Sequence, residues 1–416
     1  MEYITSKNIC LLIRDILKLT DKRVMEHGSC VGYIVYRMLE ETELFEEFEM
    51  AELSFIASLH NIGGYRTDNI EEMLKYGYRN YMPHSIYGYL FLKNLLPIPD
   101  YGKILLYHHM DFDQMAGVDY EFKFMSEYIH IADDAYTRYK ESGGTFDYKS
   151  LKAKVGRKYS EKAYELLDTV AQNDSVFARI DDGSYKEELD RLMDFVLFRD
   201  DEKQKYLEML MYCTGLRSVQ VMENTGMCVC VCDELARRMG MKRVDRHRLY
   251  LAALLHDSGM LLVPGSIIRK PKKLSEKEMK VVQFHVKKAD EVLRERFKDK
   301  EVVDIAVRHH ERLDGSGYPV GLKAARLRRP DRILQVADTV CGITGKTAYH
   351  AARDKDEACR ILLEEAQCGR LDAEIVKLMI ENYTDIWNRI KKEAAKTFAT
   401  YQKIEKQYET AKQRFE

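Results

Sequence analysis

His256-Asp257, His285, His309-His310 and Asp338 offer imidazole nitrogen and carboxylate oxygen, with no thiolate among them. That donor set suits hard or borderline divalent metals. Metals held this way in a pocket act on water or phosphate. Adjacent side chains on a helix diverge by about 100°, so His256 can bind one metal while Asp257 reaches a second. A carboxylate has two oxygens and can span metals about 3.5–4 Å apart. An imidazole has one free nitrogen and cannot. On this reading His256, Asp257 and Asp338 hold a first metal, and His285, His309 and His310 complete a second. Two cations acidify a bridging water and neutralise phosphate charge, so the natural reaction is hydrolysis of a phosphoester. A lone histidine on an apolar helix is more often a hydrogen-bonded core residue. Four histidines and two aspartates in one ordered set are a different case.

The set occurs twice. Of 12 histidines, nine fall into two parallel series. The first is His27, His60-Asn61, His84, His108-His109, Asp133. The second is Asn224, His256-Asp257, His285, His309-His310, Asp338. Intervals match closely: 33 and 32 residues to the paired position, 24 and 29 to the next histidine, then 24 and 24. Flanking residues repeat as well. Ser58-Leu59-His60-Asn61-Ile62-Gly63 parallels Leu254-Leu255-His256-Asp257-Ser258-Gly259, and Ile131-Ala132-Asp133 parallels Val336-Ala337-Asp338. A period near 200 residues is too long for a solenoid, so tandem duplication of one globular domain is the simpler reading.

The elements that must position these residues are helices. Only 7 prolines occur in 416 residues, and apolar residues recur at three- and four-residue spacing, as at Leu249, Ala252 and Ala253. The expected fold is all-α: two tandem helical domains, residues 1–198 and 206–382, then an amphipathic C-terminal helix over 383–416. On that helix Ile386, Ile390, Phe398, Tyr401 and Tyr408 fall near one face. Docking on the body of the protein and a homodimer contact through this helix are both open to it. Ser275-Glu276-Lys277-Glu278 reads as a capping box that starts a helix carrying His285 two to three turns in.

Net charge is −2, with 66 basic and 68 acidic residues. That gives no basic excess for polymeric nucleic acid, so any anionic ligand must be attracted locally. Met1 to Lys22 lacks the pattern of a signal peptide, and no run of about 18 apolar residues is present to span a membrane. Nine cysteines without disulfide-like spacing point to a reduced, cytoplasmic protein. Cys228 and Cys232, in Met227-Cys-Val-Cys-Val-Cys, share a helix face and read as small buried residues rather than a soft-metal site.

The stretch from His309 to Leu322 resembles the signature of the HD-GYP family, a branch of the HD-domain metal-dependent phosphohydrolases. His-His-Glu-x-x-Asp-Gly-x-Gly-Tyr-Pro-x-Gly-Leu is present in full at 309–322. His256-Asp257-Ser258-Gly259 is similar to the family's His-Asp-x-Gly-Lys element, and Lys270-Pro271 with Leu274-Ser275 to its Lys-Pro-x-x-Leu-Thr segment. The resemblance covers roughly Val221 to Met379. Copy one, about Val24 to Val155, resembles a shortened, degenerate member.

The resemblance implies a metal-dependent phosphodiesterase that hydrolyses a cyclic dinucleotide, cyclic di-GMP or a relative, by metal-activated water. Two divalent metals are implied in the second domain, iron or manganese, with magnesium as an alternative. His256 and Asp257 are the expected catalytic residues. Asp314, Gly315, Gly317, Tyr318 and Lys346 are expected to bind substrate. His27, His60, His84, His108, His109 and Asp133 are the weaker metal candidates of the first copy. Departures from the family pattern matter. Asn224 stands where the family has its first histidine ligand. Met260 replaces the lysine expected at substrate phosphate, and no thioether replaces a cation. Cys341 replaces the family's second aspartate. In copy one Asn61 replaces the bridging aspartate, Gly64 stands at the lysine position and the Gly-Tyr-Pro loop is missing. Two rival readings follow: a catalytically impaired protein serving as a nucleotide-binding or protein-interaction scaffold, and a phosphomonoesterase or nucleotidase.

Overall fold

The computed structural model describes residues 3–66, 70–77, 80–97, 99–173, 175–345 and 354–415. Among them helices dominate. No β-strand forms, and only isolated bridges occur, such as Asp314 with Lys323. No described helix is long and apolar enough to cross a membrane. The chain divides into two units. One is Thr5–Tyr206 with Lys403–Glu416, and the other is Met1–Ile4 with Leu207–Gln402.

In the Thr5–Tyr206 unit, Thr5 caps helix Ser6–Thr20 by accepting from Asn8 N. Ile9, Leu12, Ile13, Ile16 and Leu17 of that helix are buried at the three- and four-residue spacing of one helix face. Asp21 caps the following helix, Lys22–Glu40, which carries His27. That helix packs on Glu47–Ser58, which leads into His60, and on Lys123–Glu141, which carries Asp133. Helices Met82–Leu95 and Gly102–Tyr107 bring His84 and the His108-His109 pair. The last turns of the chain complete this unit. Ile404 is buried, the Tyr408 ring meets Tyr87 edge-on at 5.5 Å, and Arg66 pairs with Glu405 at 2.6 Å.

The Leu207–Gln402 unit repeats the plan. Ser218 caps Val219–Arg238, the helix of Asn224 and Cys228. It packs on Arg243–Leu255, which ends at His256, and on Arg329–Thr344, which carries Asp338. The capping box at Ser275 and Glu278 forms as expected and starts helix Glu276–Arg296, with His285 nine residues from its first. Such a cap contributes about 1 kcal/mol. Helix Lys300–Val307 delivers His309 and His310 just past its end. Ile386 and Ile390, on helix Tyr383–Phe415, are buried in this unit.

Candidate metal centre

The six ligands expected in the second copy converge. Each of three histidines sits at a helix end or inside a helix with Nδ1 against a carbonyl three residues earlier. His256 Nδ1 donates to Ala253 O at 2.8 Å, His285 Nδ1 to Val282 O at 2.6 Å, and His309 Nδ1 to Ala306 O at 2.6 Å. That bond occupies Nδ1 and leaves Nε2 as the nitrogen each ring can offer to a metal. His285 Nε2 and His309 Nε2 then face each other at 3.3 Å. Two lone pairs at that distance repel unless a cation lies between them. The donor set therefore fits a divalent metal.

Asp257 lies between two groups. Its Oδ2 is 3.4 Å from His256 Nε2, and its Oδ1 is 3.5 Å from His285 Nε2 and 4.0 Å from His309 Nε2. Asp338 also reaches two ways, with Oδ1 3.8 Å from His256 Nε2 and Oδ2 3.5 Å from His310 Nδ1. Two trios could hold an ion: His285, His309 and His310, and His256, Asp257 and His309. The first matches the sequence expectation. The second brings His309 to the His256–Asp257 side, which spacing did not indicate.

Electrostatics favours cations here. Burial lowers His285, and lowers His309 and His310 well below the usual imidazole range with neighbouring imidazoles adding to it. These rings are neutral and ready to ligate. Burial alone would lower His256, but Asp257, Cys228 and Asp338 outweigh it and hold it at about 9. Burial pushes Asp338 up to about 7 against the pull of His256. Without metal, the carboxylates recruit a proton where a cation would sit.

A close approach sets the geometry. Gly259 lies so near the His285 helix that a Cβ there would stand 2.1 Å from His285 O. Gly63 bears the same relation to His84 O, also at 2.1 Å. The shared glycine lets the turn after each paired position rest on the helix of the third histidine.

The Gly-Tyr-Pro loop is organised by Glu311, to which sequence reasoning assigned no role. Its carboxylate is fully buried and accepts from Val320 N at 2.8 Å, Gly321 N at 3.3 Å and Leu322 N at 2.7 Å. The signal was its place inside the signature. Asp314 accepts from Ser316 N and Oγ, Gly315 turns at φ +85°, and Gly317 lies against His310 O. Tyr318 places its ring 4.7 Å from that of His310. Arg312, also missed, acts electrostatically on His310, Tyr318 and Asp338. Lys346 lies outside the described residues. Asn224 stands one helical turn before Cys228, with its Oδ1 beside Gly345. Cys228 and Cys232 are buried, and the Cys228 thiol touches Cys232 and Cys341.

The first-copy candidates also converge, into the trios His27, His60, Asp133 and His84, His108, His109. His27 Nε2 lies 2.6 Å from Asp133 Oδ1. Burial would raise Asp133, but His27 and the neighbouring imidazoles hold its carboxyl well below the usual range. Burial depresses His60 to about 4 and His84 to about 3. Asn61 Nδ2 donates to His60 Nε2 at 2.7 Å, where Asp257 in the other copy presents an oxygen.

Known proteins resemble the chain along these lines. Residues 211–375 match the HD domain family. A 3'3'-cGAMP-specific phosphodiesterase of Vibrio cholerae is 25% identical over 380 residues, covering 86% of this chain and 87% of that protein. The cyclic di-GMP phosphodiesterase response regulator RpfG of Xanthomonas campestris is 33% identical over 189 residues, 45% of this chain and 44% of that protein. The crystal structure of a cyclic GMP-AMP specific phosphodiesterase of Vibrio cholerae shares the fold, with TM-score 0.58 at 17% identity over 92% of this chain and 98% of that one.

Proposed function

We propose, from the premise that this chain belongs to the HD-GYP branch of the HD-domain family, that it is a metal-dependent phosphodiesterase of cyclic dinucleotides. The observation that carries this is Asp257, with one carboxylate oxygen turned to His256 and the other to His285 and His309. The ligand set we propose is His256, Asp257, His285, His309, His310 and Asp338, holding two ions of iron or manganese. Imidazole-rich sites suit these ions better than magnesium. Divalent metals, when bound, supply Lewis acidity and activate water.

The chain's own residues orient the reaction. Ala253, Val282 and Ala306 carbonyls fix the ring faces of three histidines. Glu311 holds the loop that sets Tyr318 over His310. Arg312 supplies positive charge beside the site, where Met260 supplies none. Tyr318 and Arg312 are the groups we assign to substrate, with Asp314, Gly315 and Gly317 shaping their loop. The nine free cysteines suit a reducing compartment, and we place the protein in the cytoplasm.

The test is turnover. Protein purified with manganese or iron under reducing conditions is offered cyclic di-GMP, 3'3'-cGAMP and mononucleotides. Linear dinucleotide product from a cyclic substrate is expected. Tight nucleotide binding without turnover would replace this reading by the scaffold one, which Asn224 and Met260 favour. Release of inorganic phosphate from mononucleotides alone would replace it by the nucleotidase reading.

A further inference from the structure

A cavity of 480 Å³ lies in the Thr5–Tyr206 unit beside His27 and His109 of its histidine set. Its walls include His27, Asn61, His109 and Asp133 together with Lys75, Lys154, Arg157 and Lys158. That volume is in the range of small-ligand sites. We propose that this unit binds one divalent cation on His84, His108 and His109 and a phosphate-bearing nucleotide above it, held by Lys154, Arg157 and Lys158.

The two trios of this unit differ in what they leave open. In the first, His27 is closed on Asp133 at 2.6 Å and His60 Nε2 is taken by Asn61 at 2.7 Å. In the second, His108 Nδ1 donates to Leu105 O at 2.6 Å, so its Nε2 carries a lone pair. That nitrogen is fully buried and has no partner among the described residues. His84 Nε2 and His109 Nε2 approach at 3.2 Å, as the ligating rings do in the other copy. A buried, orphaned acceptor beside two converging imidazoles is the arrangement a cation satisfies. Asn61 Oδ1 is likewise buried without a partner and lies at the cavity wall.

The anion cradle has its own origin. The family's lysine position is Gly64, where a Cβ would meet Met73 Sδ at 2.3 Å and displace that side chain, so no cation stands there. Positive charge comes instead from the turn after Tyr148–Lys154, which Gly156 makes at φ +81°. Lys158 is anchored on Asp134, and Lys154 on the Tyr76 hydroxyl. The exposed Arg157 side chain makes no ion pair or hydrogen bond among the described residues. Four cations line the cavity against three carboxylates, Asp111, Asp133 and Asp134. One bound divalent ion makes that balance more positive, which suits phosphate. Tyr76 and Tyr81 line the same cavity, with Arg138, Lys154 and Lys158 about the Tyr76 ring and His109 against that of Tyr81. Asn61 offers no carboxylate to bridge two metals, so the site proposed here holds a single cation and its role is to bind the nucleotide.

The experiment uses the full chain carrying Asp257→Ala, which disables the other site. Metal content after loading with manganese is compared with and without His109→Ala. Loss of about one ion per chain on adding His109→Ala is expected, and unchanged content would overturn the cation site. GMP and cyclic di-GMP are then tested separately by equilibrium dialysis with manganese present. Binding of either, weakened about tenfold or more by Arg157→Glu, is expected, and which one binds sets the size of the ligand. Binding of neither, or equal binding by the Arg157→Glu protein, would overturn the nucleotide site. Arg157 is exposed, so its replacement leaves the fold intact.

Discussion

The two copies differ at two of the candidate metal positions and agree at the rest. At the bridge the first copy has Asn61 and the second Asp257. At the first histidine the roles reverse, with His27 in the first copy and Asn224 in the second. An amide oxygen is neutral and a weaker donor than imidazole for iron or manganese. Asn224→His is therefore expected to raise affinity at the His256 side about tenfold, read by metal titration. Unchanged affinity would mean that position 224 does not face the site. Glu311 acts differently, through the backbone of its loop. Glu311→Ala leaves the Val320, Gly321 and Leu322 N–H groups without their shared acceptor and is expected to cost about 2 kcal/mol. Hydrogen exchange at Val320, Gly321 and Leu322 should accelerate, and unaltered protection there would refute the role.

Helix ends decide where the candidate ligands stand. His256 closes helix Arg243–Leu255, and the His309-His310 pair follows Lys300–Val307. His285 depends on the start of its own helix, where Lys270 and then Ser275 hold Glu278 down to about 2. A carboxyl lowered in the folded state stabilises above its unfolded value near 4.5, and that stabilisation is lost as pH falls through about 2. The melting temperature of wild type should thus exceed that of Glu278→Gln at pH 7, with the gap narrowing below pH 4.5. A gap independent of pH would show that the Lys270–Glu278 pair does not carry the cap. The capping box, the helical period and the spacing of both histidine series were all legible in the sequence, because local chemistry sets them. The role of Glu311 was not, because it depends on a loop folding back nine to eleven residues. Nor was the sharing of His309 between two trios, which needs the packed helices to be seen.

At the scale of the molecule, one chain carries two histidine-rich sites on the same helical plan. The repeat in sequence predicted that much. It did not predict that the residues from Lys403 onward would complete the Thr5–Tyr206 unit, since an amphipathic helix shows an apolar face but not what covers it. Nor did it locate the cavity beside His27 and His109, three of whose cations, Lys154, Arg157 and Lys158, come from a segment outside the repeated motifs. With two sites present, turnover alone does not say which unit works. The direct measurement is cyclic dinucleotide hydrolysis and metal content of wild type and Asp257→Ala, side by side. The account predicts that Asp257→Ala loses the two metals of the second copy and falls at least about a thousandfold in turnover. Undiminished hydrolysis by Asp257→Ala with full metal content would contradict it.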